Sequence, residues 1–236
     1  MTPTSSASST ASPPGQARTS TQRRGILFII SAPSGTGKTT LCKQLTAKVP
    51  ELWHSISFTT RQPRPGEEHG REYFFIDEPK FQEMIERHEF VEWARVYGHL
   101  YGTPRKMLAD RIEQGIDVLL EIDVQGAMQV KKKFDDAVSI FILPPSMTVL
   151  RARLQSRASD SHEEIQRRLQ KVKEEVWSYR EYAYIVRNDD LARSLQDLEN
   201  IFLAERLKTR RMDITWIEHN FLVNDDTKPG DRKDLP

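Results

Sequence analysis

The 236-residue sequence has little cysteine, no long apolar run and almost no net charge. Its one cysteine, Cys42, excludes an intrachain disulfide and a cysteine-based zinc site. The longest apolar runs, Ile26–Ile30 and Val138–Leu143, are far shorter than the roughly 20 residues of a membrane-spanning helix. With 35 basic and 34 acidic residues the net charge is +1, which argues against a dedicated nucleic-acid or membrane-surface binder. The composition predicts a soluble, cytoplasmic protein of a reducing compartment.

The first 24 residues differ in composition from the rest of the chain. They contain eleven Ser or Thr, three Pro, three Arg and no acidic residue. Because such a segment offers no apolar face, residues 1–24 are predicted to be a disordered tail. The same composition also fits an organelle-import segment, which stays open as an alternative. Residues 209–236 are expected to form a second short tail.

Strand-like and helix-like patterns alternate from Gly25 onward. The run Ile26–Ile30 is typical of a strand that is buried on both faces of a sheet, and a helical pattern follows from Lys38 to about Lys48. The same two patterns recur later in the chain. They predict strands at 117–123, 138–143 and 184–186 and helices at 104–114, 125–134 and 191–207. This alternation predicts an α/β fold with a parallel sheet flanked by helices.

Two stretches interrupt the alternation within one domain that is expected to span 25–208. Short runs at 54–58, 73–76 and 90–97, joined by turn residues, predict a small, partly antiparallel insert at 57–103. The highly charged region 146–182 has a sparse apolar stripe, which favours a mobile, solvated helical flap or lid. The core is then expected to consist of residues 25–56, 104–145 and 183–208.

Small residues after the first strand form a phosphate-binding pattern, Ser31–Thr40. It matches G-x-x-x-x-G-K-[ST] except that Ala32 replaces the first glycine. Gly35 and Gly37 allow backbone N–H groups to approach phosphate oxygens at a helix N-terminus. Lys38 is suited to neutralise the outer phosphates of ATP, and the Thr39 hydroxyl to ligate Mg²⁺. The expected ATP contacts in this loop are Ala32, Pro33, Ser34, Gly35, Thr36, Gly37, Lys38, Thr39 and Thr40.

A loop of this kind indicates a nucleotide but not a particular function. A GTPase should carry Asn-Lys-x-Asp, whereas the nearest string, Arg187–Asp190, lacks the lysine. Glu121 and Asp123 follow a predicted strand at i and i+2. Both carboxylates are therefore expected to face the crevice beyond the carboxyl ends of the strands, where ligands bind in open α/β folds.

The insert carries side chains that suit a second phosphate. Arg61 and Arg64 lie three residues apart on a proline-stiffened loop and can hold one phosphate from two sides. Tyr73 and Tyr101 can donate phenolic hydroxyls to the same group. Glu92 stands between apolar neighbours. This pattern alone indicates no more than an ordinary surface or core residue.

These strings together resemble guanylate kinase from about Gly25 to about Lys208. The resemblance rests on the segments 55–67, 73–75, 101–103 and 121–126, in the same order and with similar spacing. It implies a P-loop kinase core, a GMP-binding insert and an arginine-bearing lid. It also implies an enzyme that phosphorylates GMP, and dGMP as a further acceptor, with ATP and Mg²⁺, in purine nucleotide metabolism.

The resemblance further implies a role for each matching residue. Glu92 and Asp123 would accept hydrogen bonds from the guanine N1 and N2 donors, while Ser57 and Thr103 would donate to O6. Arg157 and Arg168 would lie on the transferring phosphoryl group, and Asn188 near the adenine of ATP. The implied GMP contacts are Ser57, Arg61, Arg64, Tyr73, Glu92, Tyr101, Thr103, Glu121 and Asp123. The sequence departs from the family pattern at Ala32, at Ala158 and at Arg187, where an apolar strand residue is expected.

Two other functions are weighed against this one. Guanylate-kinase-like scaffold modules bind protein partners and typically lose the intact phosphate loop, which is complete here at Gly35–Thr39. A P-loop kinase for AMP or UMP would not need the two acids. Neither the residues nor the resemblance indicates an oligomeric state.

Overall fold

A five-stranded parallel sheet forms the centre of the molecule. The structure is a computed structural model, and it describes residues 23–155 and 162–222. Its strand order is β2-β7-β1-β8-β9. The strands are β1 (Leu27–Ser31), β2 (Leu52–His54), β7 (Asp117–Glu121), β8 (Val138–Leu143) and β9 (Tyr184–Arg187). The predicted α/β class with a parallel sheet is confirmed.

Helices cover both faces of this sheet. They are α1 (Lys38–Lys48) and α7 (Leu191–Arg206) on one face and α3 (Arg105–Glu113) and α4 (Val124–Lys131) on the other. Successive residues of β1 point alternately into the two apolar clusters, so that Phe28 stacks on Phe202 of α7 with ring centroids 3.6 Å apart. Cys42 of α1 is fully buried in the same cluster. A strand buried on both faces explains why its sequence is continuously apolar.

The parallel pairing of β1 and β7 places the site. Ile30 lies opposite Glu121, so the loop that follows β1 and the residues that follow β7 leave the sheet side by side. This is the edge at which ligands bind in open α/β folds.

The insert forms a separate four-stranded mixed sheet with the order β4-β3-β6-β5. Its elements are β3 (Phe58–Thr59), β4 (Phe74–Phe75), α2 (Glu78–Glu86), β5 (Phe90–Val96) and β6 (His99–Pro104). Two details differ from the sequence-based expectation. His54 belongs to β2 of the central sheet, not to an insert strand, and α2 was not predicted.

The lid region contains two helices, α5 (Met147–Gln155) and α6 (His162–Val176), on either side of the residues that the structure does not describe. The prediction of a solvated flap without a core is wrong here. The apolar stripe of the two helices closes into a cluster of its own, which consists of Leu150, Leu154, Ile165, Leu169 and Val172. Few apolar residues suffice because each helix supplies the partner for the other's stripe.

The described part of the chain begins with an ion pair of Arg23, a residue of the segment that is predicted to be a disordered tail. Arg23 Nη1 lies 2.6 Å from Oδ1 of Asp117, whose side chain is fully buried at the start of β7. The same carboxylate accepts hydrogen bonds from the Ile26 N–H and from Arg206 Nε. Arg23 is therefore part of the folded domain, whereas residues 1–22 of the predicted tail lie outside the described residues.

Replacing Arg23 by alanine is expected to lower the free energy of unfolding by about 1–3 kcal/mol, because the buried Asp117 carboxylate loses a charged partner. For a chain of this length the thermal midpoint would fall by several degrees. Arg24→Ala is the matched control, since Arg24 is exposed. Equal midpoints for the two variants in differential scanning calorimetry would contradict this role of Arg23.

Beyond α7 the chain continues in short helical turns. Arg211 reaches back to the buried Glu205 of α7, with Nη2 3.3 Å from Oε2. No helix in the ranges 23–155 and 162–222 has the length and apolarity to cross a membrane.

Candidate active site

The phosphate-binding loop joins β1 to α1 as the sequence pattern predicts. Gly35 and Gly37 have φ angles of +89° and +90°, a region that side-chain-bearing residues rarely adopt. A Cβ atom on Gly35 would also clash with Leu154 of α5. Gly37 precedes α1 and no side chain caps the helix, so the N–H groups of the first turn remain available to an anion.

The loop is held from behind by groups that bind the Thr36 carbonyl. Asn188 Nδ2 donates to this oxygen at 2.6 Å, and Arg153 Nη1 of α5 donates to it at 3.2 Å. Asn188 is buried against Gly37. The structure thus places Asn188 beneath the loop, and its expected contact with ATP stays a prediction. Arg187 is exposed and pairs with Asp189, so a charge at this strand position is readily accommodated.

Lys38 and Thr39 at the start of α1 both reach toward the end of β7. Lys38 Nζ donates to the Ile122 carbonyl at 3.0 Å, and Thr39 Oγ1 donates to Glu121 Oε1 at 2.5 Å. Glu121 in turn lies 3.5 Å from Nε2 of His54. Burial lowers the pKa of His54, although the Glu121 charge acts in the opposite direction.

Two adjoining cavities open at this edge of the sheet, with volumes of about 260 and 400 Å³. The first is lined by the phosphate loop, by Glu92 and by Asp123, and the second by Arg61, Arg64 and Arg168. The residues that line both are Thr39, Ser57, Tyr73 and Glu121. The structure therefore brings together almost all of the residues that the sequence analysis predicts to bind nucleotide.

The arginine loop of the insert is organised by Glu67. Its carboxylate lies 2.9 Å from Arg61 Nη2 and accepts the Arg64 backbone N–H at 2.8 Å. Arg61 also packs over the Tyr73 ring, and the rings of Tyr73 and Tyr101 are in edge contact. Arg61, Arg64 and Tyr73 thus place guanidinium and phenol donors at the second cavity, as a phosphate requires, and Tyr101 lines the first.

Glu92 lies in β5 and is buried, only 3% exposed. Burial raises the pKa of its carboxyl group to about 7; the Asp123 charge also raises it, whereas the hydrogen bond from Thr103 lowers it. Thr103 Oγ1 donates to Glu92 Oε1 at 2.6 Å, and Thr103 is fully buried. In the structure Thr103 therefore holds Glu92. Its expected donation to guanine O6 stays a prediction.

Of the two lid arginines, Arg168 is in the described region and Arg157, like Ala158, lies outside it. Arg168 of α6 borders the second cavity, and its guanidinium packs over the ring of Tyr97 at 5.3 Å. Glu175 of the same helix lines the first cavity, and burial raises its pKa. The sequence analysis predicts no functional role for Tyr97 or Glu175, because a single aromatic or acidic residue does not form a recognisable motif.

The mouth of the phosphate loop also carries oxygen atoms that could ligate a divalent cation. In the described ranges no three His, Cys, Asp or Glu side chains converge to form a metal site. Thr39 and Glu121 instead present hard oxygen atoms at the mouth of the phosphate loop. Such a set suits Mg²⁺, which is usually held by one or two protein oxygens together with substrate phosphates.

Comparisons with known proteins agree with this geometry. The family model described as guanylate kinase matches residues 24–205. A guanylate kinase of Geobacter sulfurreducens is 47% identical over 191 residues, which cover 81% of this chain and 94% of that protein. A guanylate kinase of Syntrophomonas wolfei is 50% identical over 192 residues, with coverages of 81% and 98%. The crystal structure of guanylate kinase from Anaplasma phagocytophilum superposes with a TM-score of 0.74 at 32% identity, covering 86% of this chain and 99% of that one.

Proposed function

Since the chain belongs to the guanylate kinase family, we propose that it transfers the γ-phosphoryl group of ATP to GMP, giving ADP and GDP. The two adjoining cavities are the observation that carries this proposal. The first is lined by the phosphate loop and by the two acids Glu92 and Asp123, and the second by Arg61 and Arg64. Thr39 and Glu121 line both cavities, so a phosphate held by the arginines would lie next to the phosphates held by the loop.

Each part of the domain has a proposed task. The insert 57–103 binds GMP, with the base at Glu92 and Asp123 and the phosphate at Arg61, Arg64, Tyr73 and Tyr101. The core supplies the ATP site at 32–40, and the lid 146–182 brings Arg157 and Arg168 to the phosphates. Ser57 lines both cavities and, with Thr103, is a proposed donor to guanine O6.

The reaction demands positioning and charge neutralisation more than proton transfer. The second pKa of a phosphomonoester is near 6, so the attacking oxygen of GMP is largely ionised at neutral pH and needs no general base. Lys38 and the lid arginines stabilise the charge that spreads over the transferring group. Mg²⁺, held by Thr39 and the ATP phosphates, would supply further charge neutralisation when bound.

The competing function, a non-catalytic protein-binding module, finds no support in these observations. The phosphate loop has its glycines at positive φ and its lysine in place. The relatives described above are named as kinases. A cytoplasmic location is our proposal for the same protein, and import into an organelle through residues 1–24 stays the alternative.

Product stoichiometry tests the proposed function. With ATP, Mg²⁺ and GMP or dGMP, the protein should form one nucleoside diphosphate from the acceptor for each ADP released. Chromatographic separation of the products measures both. ADP release without phosphorylated acceptor would show a hydrolase and would overturn the proposal.

GMP binding is expected to weaken by about tenfold between pH 8 and pH 6 through Glu92 alone. In the free protein the pKa of this carboxyl is about 7, so lowering the pH protonates it. Guanine N1–H and N2–H₂ need the ionised carboxylate as acceptor, and bound GMP therefore favours the form that is lost at low pH.

Binding curves for Glu92→Gln provide the control for this pH effect, because the GMP phosphate itself titrates near pH 6. The variant should keep only the phosphate contribution. Glu83→Gln, which removes a half-exposed carboxyl of α2 away from both cavities, should follow the wild type. Parallel pH curves for wild type and Glu92→Gln would rule out Glu92 as the titrating acceptor.

A further inference from the structure

The outer edge of the insert sheet is closed by side chains instead of by another strand. β5 is the last strand of that sheet, so the backbone groups on its free side have no strand partner. Gln129 of α4 supplies a hydrogen-bonding partner for one residue of this free side. Its Nε2 donates to the Trp93 carbonyl at 2.7 Å, and its Oε1 accepts the Trp93 N–H at 3.3 Å. One amide side chain thus reproduces both hydrogen bonds of a neighbouring strand residue.

A second side chain extends this attachment by two residues along β5. Lys133, in the turn just after α4, donates from Nζ to the Val91 carbonyl. Glu92 therefore lies between two residues whose backbones are fixed to the same helical segment of the core. The pairing of β5 with β6 also shifts register between Phe90 and Glu92, so the strand geometry alone does not determine where Glu92 points.

The helix that holds β5 also carries the other acid of the proposed guanine site. Asp123 is the N-cap of α4, and its Oδ1 accepts the Gly126 N–H at 2.9 Å. Gly126, one turn along, packs against the Glu92 carboxylate so closely that a Cβ atom there would clash. Asp123 and Gly126 are three residues apart, as are Gly126 and Gln129, so each pair consists of neighbours on the helix surface.

We infer that Gln129 is a positioning residue for base selection, because its two hydrogen bonds to Trp93 hold Glu92 at a fixed place relative to Asp123. Gln129 itself lines neither of the two cavities. The inference rests on the proposed function, since it concerns the same guanine site. Two carboxylates read two adjacent donors only when their separation is held, which a loosely attached edge strand does not ensure.

Gln129→Leu tests this inference, because leucine has a similar volume and removes both hydrogen bonds. We expect KM for GMP to rise about tenfold, while kcat at saturating GMP and KM for ATP stay within about twofold. The ratio of kcat/KM for GMP to that for AMP should fall by a similar factor. Lys133→Met should produce the same pattern with a smaller change. Gln196→Leu, at an exposed glutamine of α7, is the matched control.

The outcomes separate the inference from the proposed function. A wild-type protein that does not phosphorylate GMP would overturn both. If the wild type is active and the Gln129→Leu variant has an unchanged KM for GMP, the inference alone is overturned. The same holds if the variant has a lower kcat, higher KM values for both GMP and ATP, and a lower thermal midpoint. If the Gln129→Leu variant does not fold, Gln129→Asn is the alternative variant. Its shorter side chain does not reach both the N–H and the carbonyl of Trp93, so KM for GMP alone should rise.

Discussion

Replacing Lys38 by alanine is expected to lower kcat by roughly 10²–10³-fold, the usual cost of removing one preorganised charge stabiliser. The ammonium group lies at the mouth of the phosphate loop, where it donates to the Ile122 carbonyl at 3.0 Å. It can therefore neutralise the β- and γ-phosphates of ATP without reorganisation. The fold should stay intact, because Lys38 is only partly buried and does not belong to an apolar cluster.

Lys48→Ala is the matched control for this variant. Lys48 ends the same helix and pairs with Glu199 of α7, away from the loop. Steady-state assays of both variants, with circular dichroism to check folding, separate loss of catalysis from loss of structure. A folded Lys38→Ala protein that keeps more than about a tenth of the wild-type kcat would contradict the assignment.

The wild-type protein is expected to prefer GMP to AMP by roughly 10⁴-fold or more in kcat/KM. Guanine presents two adjacent donors, N1–H and N2–H₂, to Glu92 and Asp123. Adenine presents a bare N1 lone pair at that edge and an amine in the place of O6. With AMP bound, the buried carboxylate of Glu92 and the partly buried one of Asp123 would therefore face a lone pair, and the Ser57 hydroxyl would face a donor, which leaves polar groups without partners.

A coupled assay of ADP release with GMP, AMP, UMP and CMP measures this preference. Glu92→Gln should weaken GMP binding by about 1–3 kcal/mol, since an amide offers one acceptor group where the carboxylate offers two. Asp123→Asn should lose more activity because Asp123 lies closer to the phosphate loop, although asparagine still caps α4. Equal use of AMP and GMP, or an unchanged KM for GMP in Glu92→Gln, would remove the basis for this site.

The parts of the fold that were predicted from the sequence depend on local patterns. The helix Lys38–Lys48 and the strand Val138–Leu143 have the predicted bounds, because an apolar run or a helical period is visible in consecutive residues. The phosphate loop is equally local, and the positive φ angles of Gly35 and Gly37 follow from the motif.

The parts that were predicted wrongly or missed depend on partners far apart in the chain. Arg23 pairs with Asp117 across 94 positions, and nothing near either residue indicates the other. The lid stripe looks too sparse for a core until Leu154 and Leu169 meet from different helices. Gln129 is the clearest case, because a half-exposed glutamine on a helix carries no signal until β5 is found to be an edge strand.

The complete burial of Cys42 has a practical consequence for chemical labelling. Its thiol is enclosed between α1 and the sheet, and burial raises its pKa well above the ordinary value, so the folded protein holds almost no thiolate. Because the thiolate is the reactive form, alkylating dyes would leave the native molecule unmodified and react only with unfolded chains. Single cysteines introduced on the insert and the lid could then carry fluorophores without removal of the native thiol.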